Sequence, residues 1–175
     1  MKIVILGFSG SGKSTLAKKL AKHYHLDILY LDSIFFKPNW VIRDREEFDY
    51  LIKKFMNEHD SWIIEGNYMK SVPERFLEAD QIFYLSYNRF FCLRSVLKRY
   101  KKNKNKTRES MAEGCKEKLD LSFLWQVFYK GRKRKKRKRL LEITKNSKEG
   151  LVFKNRKALH QYLKELGVEN YETSM

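Results

Sequence analysis

Directly behind the apolar run Ile3-Val4-Ile5-Leu6 the chain reads Gly7-Phe8-Ser9-Gly10-Ser11-Gly12-Lys13-Ser14, with Thr15 following. The pattern G-x-x-x-x-G-K-[ST] is complete, and it requires a strand before it and a helix after it. Both are present: four apolar residues precede it, and residues 14–23 carry helical spacing. Glycines let the backbone curl until successive N–H groups point at phosphate oxygens. The helix N-terminus adds partial positive charge at the same place. Lys13 is expected to reach the β- and γ-phosphates, the Ser14 hydroxyl to coordinate Mg²⁺, and Thr15 to donate toward the α-phosphate. The nucleotide-binding set is therefore Gly7, Ser9, Gly10, Ser11, Gly12, Lys13, Ser14 and Thr15, with Mg²⁺ expected beside it; ATPases, GTPases and small-molecule kinases all use such a loop, so the motif alone does not name the activity.

The rest of the chain repeats this alternation. Ile28-Leu29-Tyr30-Leu31, Trp62-Ile63-Ile64, Ile82-Phe83-Tyr84-Leu85 and Leu151-Val152-Phe153 read as further buried strands. Helical patterns lie between them, one opened by the capping box Asp44-x-x-Glu47 and the last capped by Asn155. Short apolar strands alternating with helices mean an α/β fold: a five-stranded parallel sheet with helices on both faces, in three layers. At 175 residues and 42% hydrophobic content, one domain over 1–175 is expected. Its polar stretch 103–114 suggests a helical or flexible lid inserted over about 98–118. The opening apolar stretch is too short for a signal peptide, and no run approaches the ~18 residues of a membrane span. Two cysteines, Cys92 and Cys115, suit a reducing cytoplasm. The four histidines show no metal spacing with them.

In open parallel sheets ligands bind beyond the carboxyl ends of the strands. Asp32 follows the second strand, and Glu65-Gly66-Asn67-Tyr68 follows the third. Either carboxylate can hold Mg²⁺ through water or accept a proton from an attacking hydroxyl, so the metal set is Ser14, Asp32 and Glu65. Trp40, Phe35 and Phe36 can stack a planar acceptor or serve as core.

These residues, together with Pro38-x-Trp40, Arg75, Ala79-Asp80, Cys92-Leu93-x-Arg94 and Arg108-x-x-Met111-x-x-Gly114-Cys115-x-Glu117, carry a resemblance. With Asp120-x-x-Phe123-Leu124-Trp125, they make the chain similar to the bacterial topology modulation protein family, one of the adenylate-kinase-like P-loop kinases, over roughly residues 1–160. It departs from that family's pattern at Glu65, where Asp is usual, and at Tyr30, Ser86 and Ser110. The resemblance implies an ATP-dependent phosphotransferase that moves the γ-phosphoryl to a nucleoside- or nucleotide-type acceptor, beneath an arginine-bearing lid. Lys13, Arg94, Arg108 and Arg99 would stabilise charge; Asp32, Trp40, Glu65, Asn67 and Arg75 would face the acceptor; Arg156 would flank the adenine. The family's name also suggests an alternative, a nucleotide-binding regulator associated with nucleic acid and with little turnover.

Charge divides the chain. Against 21 acids stand 38 lysines and arginines, a formal net charge of +17. Residues 98–108 hold seven cations and residues 130–139 nine, with no acid in either. The first cluster falls where a lid would grip phosphates. The second reads as a helix over 131–139, self-repelling at i,i+4 and without interleaved aromatics. It fits a polyanion or salt-sensitive, non-specific nucleic-acid contact, and base-specific recognition is not expected of it.

Overall fold

A computed structural model describes residues 1–104, 106–117 and 119–168 of the chain. The elements run β1 (Lys2–Gly7), α1 (Lys13–Tyr24), β2 (Asp27–Tyr30), α2 (Leu31–Phe35), β3 (Phe36–Lys37), β4 (Val41–Ile42), α3 (Arg45–Glu58), β5 (Trp62–Glu65) and α4 (Glu74–Glu78). They continue with β6 (Gln81–Leu85), α5 (Arg89–Asn103), α6 (Leu121–Phe128), α7 (Arg134–Lys145), β7 (Glu149–Phe153) and α8 (Arg156–Glu165).

Five strands form one parallel sheet in the order β2-β5-β1-β6-β7, flanked by helices. The central strands are continuous aliphatic runs because they are covered on both faces. Ile3, Val4, Ile5 and Leu6 are fully buried, as are Ile63, Ile64, Ile82 and Phe83. Phe83 turns toward Tyr162 of α8, and the next residue, Tyr84, turns toward Phe8 and Arg137 on the other side. The helices meet the sheet along one stripe each: Leu16 and Leu20 in α1, Phe48, Ile52 and Met56 in α3, Leu159 and Leu163 in α8. Both expected caps form. Asp44 Oδ1 accepts from the Glu46 and Glu47 amides at 2.8 and 3.4 Å, and Asn155 Oδ1 from the Ala158 amide at 2.9 Å.

Three features differ from the sequence expectation. Leu31 opens α2 instead of ending β2, and a two-residue antiparallel pair, β3 with β4, comes after it. Such short elements carry no periodic signal. The expected insertion over 98–118 starts later, because residues 98–103 are the last turns of α5. Residues 106–117 form no helix. The neck of this segment is closed by bridges of Lys104 to Glu117 and Thr107 to Lys116, and turns close on the Arg108 and Ala112 carbonyls. Position 118, at its expected end, and 169–175, at the end of the expected domain, lie outside the described residues. The second basic run is not one helix: a 3₁₀ turn at Lys130–Arg132 precedes α7.

Candidate active site

β1 ends at Gly7 in the middle of the sheet, and the loop behind it bends back over the start of α1. Its glycines are demanded by crowding as well as by curvature. A Cβ on Gly10, at φ 80°, would stand 2.4 Å from the Cys92 carbonyl oxygen of α5. Gly7 is held from the loop after the neighbouring strand, β5. The Asn67 side chain accepts from its amide at 3.0 Å and donates to its carbonyl at 2.8 Å. Ser11 is buried, and its hydroxyl has no hydrogen-bond partner. Ser9 is half-buried and Thr15 is exposed at the mouth.

The strand register brings the acid to the loop. Glu65 lies opposite Ile5 of β1 and Tyr30 of β2, at the carboxyl end of β5. Its carboxylate accepts from the Ser14 hydroxyl at 2.8 Å and pairs with the Lys13 ammonium at 3.5 Å. Burial pushes the Glu65 carboxyl above its ordinary value and the Asp32 charge acts the same way, while Lys13 and the Ser14 hydroxyl oppose them. Asp32, in the first turn of α2, accepts from the Tyr68 hydroxyl at 2.7 Å. Lys13, Ser14, Glu65 and Asp32 thus form one cluster. Ser14 and the two carboxylates are hard oxygen donors. Among the described residues no group of three or more His, Cys, Asp and Glu side chains could hold a metal ion. Three such oxygens could hold a hard cation only with water or phosphate completing its shell, a donor set that would fit Mg²⁺.

Two residues expected at the acceptor are engaged within the fold. Arg75 is fully buried, and its guanidinium donates to the Asn67 and Tyr68 carbonyls at 3.0 and 3.1 Å and to the Ser71 carbonyl. It braces the loop after β5 from within. Trp40 sits on the lid side, its ring 5.2 Å from that of Phe36, and both pack against Met111, Ala112 and Cys115. The Cys115 thiol donates to the Lys37 carbonyl there, at 3.5 Å.

The lid carries a paired cluster. Arg99 donates to Glu117 at 2.8 Å and Arg108 to the same carboxylate at 2.5 Å. Glu117 is buried, and burial, with the Arg108 charge, pushes the Arg99 guanidinium below its usual value. Asp32 lies within electrostatic range of Arg99. Arg94 does not join this cluster. Cys92 and Val96 of α5 face Gly10, and Arg99 falls on that side; Arg94 is roughly half a turn away and exposed. Arg156 begins α8 beyond β7, two strands from β1.

The second basic run turns partly inward. Arg132 lies 4.0 Å over the Phe8 ring of the loop, and donates to the Val127 and Tyr87 carbonyls at 2.9 and 2.7 Å. Lys136 is half-buried; burial first, then the Lys13 ammonium, pushes its own ammonium below the usual value. Nine cations in ten conceal which ones face the site. Leu140 and Thr144, buried in α7, are the signal for one of them: counting back four from Leu140 reaches Lys136, whereas Arg132 lies in the 3₁₀ turn before the helix, outside that period. α6 also supplies what the run itself lacks. Trp125 and Tyr129 stack at 5.0 Å and are 57% and 53% exposed, immediately before Lys130.

A strand, a glycine loop and a helix, with a lysine and a carboxylate at the loop's end beneath a side excursion bearing arginines, define a P-loop kinase-like fold. Solved structures share it. Shikimate kinase from Acinetobacter baumannii in complex with shikimate is 16% identical, with a TM-score of 0.61, over 98% of this chain and 95% of that one. An uncharacterized protein from Eubacterium ventriosum is 16% identical at a TM-score of 0.52, covering 95% and 99%. A sugar kinase from Janibacter is 14% identical at 0.50, covering 96% and 95%. At these identities the likeness is one of fold. No protein-family model matches the chain, and no curated protein does. No helix among the described residues is long and apolar enough to cross a membrane.

Proposed function

We propose that the protein is an ATP-dependent phosphotransferase acting on a small, nucleoside- or nucleotide-type acceptor. One observation carries the reading: Lys13, Ser14 and Glu65 meet at the end of the glycine loop, with Asp32 beside them. Fold likeness to shikimate kinase and the sequence resemblance to adenylate-kinase-like topology modulation proteins point the same way.

Phosphoryl transfer asks mainly for positioning and charge stabilisation. Loop amides and Lys13 would hold the β- and γ-phosphates, and Lys136, whose ammonium feels the charge of Lys13, would add a second cation. Ser14 and Glu65 would hold Mg²⁺, which when bound neutralises phosphate charge. Asp32, tied to Tyr68, stands on the acceptor side and would take the proton of the attacking hydroxyl. Its oxygen bonds to the γ-phosphorus as the bond to the β–γ bridging oxygen breaks, leaving ADP. Arg99 and Arg108 reach the phosphates by exchanging Glu117 for them.

Lys13→Ala tests this. Transfer from ATP to a panel of nucleosides, nucleotides and small phosphate acceptors is expected to vanish in the variant while its circular dichroism and melting profile stay native. Wild-type turnover in Lys13→Ala refutes the site.

A second reading concerns a partner and has its own observation. The exposed Trp125–Tyr129 stack, followed in the chain by Lys133, Arg134, Lys135 and Lys138, all exposed, offers charge together with a stacking platform. It favours a salt-sensitive, sequence-tolerant contact with single-stranded nucleic acid.

A further inference from the structure

Between α2, α3, the short β3–β4 pair and the loop after β5 lies a cavity of about 420 Å³. Its volume falls within the range of small-molecule sites. Phe35, Ile42, Phe48, Tyr68 and Met69 make its wall largely apolar. Three of these form a continuous aromatic surface, with Phe35–Tyr68, Phe48–Tyr68 and Phe35–Phe48 centroids 4.7, 5.0 and 5.2 Å apart. Tyr68 joins the cavity to the reacting end, because its hydroxyl is bonded to Asp32.

The rim is cationic, and its cations differ in what they have left to give. Arg43 is committed: Nε donates to the Ile34 carbonyl at 2.6 Å, and Nη1 pairs with Glu47. Arg45 is committed to Asp49 at 3.5 Å and to the Lys70 carbonyl at 2.5 Å. Arg139, reaching across from the end of the second basic run, has one long contact, Nη2 to the Met69 carbonyl at 3.5 Å. Among the described residues no carboxylate pairs with it or with Lys70, the fourth cation of the rim, and of these two only the guanidinium has a fork that can grip two oxygens at once. A guanidinium offers five donors, and one without an acid at the edge of an apolar cavity is a ready anion site.

The geometry points to an acceptor that carries an anionic group of its own: a small ring compound laid against Phe35, Phe48 and Tyr68, whose phosphate monoester or carboxylate is read by Arg139. This rests on the kinase reading, and it makes Arg139 the residue that separates anionic acceptors from their neutral parents. Part of the second basic run is then a selectivity element and not a solvated face.

Equilibrium binding tests it apart from catalysis. Calorimetric titration without ATP compares AMP, CMP, GMP and dTMP with adenosine, cytidine, guanosine and thymidine, and with shikimate as a ring carboxylate. One anionic compound is expected to bind at least about tenfold more tightly than the neutral compounds, and which one distinguishes phosphate from carboxylate. Arg139→Ala should weaken that binding roughly ten- to a hundredfold, and Arg139→Lys should recover part of it. Lys135→Ala, exposed on the same helix, should leave it unchanged. Equal binding of neutral parents, no binding by any anionic member, or an Arg139→Ala effect no larger than that of Lys135→Ala overturns the inference. The two readings fail separately. Binding through Arg139 without phosphoryl transfer sinks the kinase and leaves the anion-reading pocket; transfer to a neutral nucleoside does the reverse.

Discussion

Arg75 shows how much one residue's environment decides. A cation behind the Glu65 loop reads as a ligand for an anionic acceptor, yet it is the most thoroughly enclosed charge in the described structure. Burial pushes its guanidinium down to about 10, with Asp49 opposing. It remains charged at neutral pH, and its return for desolvation is the carbonyls of Asn67, Tyr68 and Ser71, of which only Tyr68's also accepts a backbone amide, that of Ser71. Arg75→Met keeps much of the apolar volume and removes every donor. We expect a loss of about 3 kcal/mol in urea unfolding, since each orphaned buried acceptor costs roughly 1–3 kcal/mol and removal of the buried charge offsets part. Unchanged stability would show that the loop after β5 holds its shape without the brace. The position was legible in the sequence as important and illegible as to which way it faces, because facing depends on residues 67–71 folding back over α4.

Among elements, strands and long helices were legible because burial on two faces or along one stripe leaves an aliphatic run or a period of 3.6. The glycine loop was legible because its ligands are contiguous. The lid was only half legible. Its polarity marks an excursion, but its closing contacts join Cys115 to Lys37 and Arg99 to Glu117, pairs set by the tertiary fold. Glu117 was legible only as one letter of a motif, and structurally it is the shared counterion of two arginines. Glu117→Gln should therefore loosen this segment in particular. Removing the charge from a buried pair costs roughly 2 kcal/mol or more, so amide exchange across 106–117 should accelerate at least about tenfold while exchange in β1 stays slow. Equal protection in the variant would mean that the apolar seat of Met111, Cys115, Phe36 and Trp40 holds the lid alone.

For the whole molecule, the surplus of +17 is not one property. Arg99 and Arg108 share one acid, Arg132 lies over the Phe8 ring of the loop, Lys136 is half-buried, and Lys133, Arg134, Lys135 and Lys138 face out. A single-stranded oligonucleotide is expected to quench Trp125 emission, with affinity falling steeply between about 50 and 200 mM salt. Quenching that survives high salt, or that persists in Trp125→Phe, would remove the nucleic-acid reading and leave the outer cations as solvated surface. The hold of Asn67 on Gly7 has a wider consequence. The glycine loop and the loop after β5 are hydrogen-bonded in both directions, and Arg75 fixes the second loop to its own helix. Two ligands bound across such a joint share one conformational equilibrium. Whatever factor one contributes to the affinity of the other is returned in full, so on the kinase reading donor and acceptor would be weighed jointly.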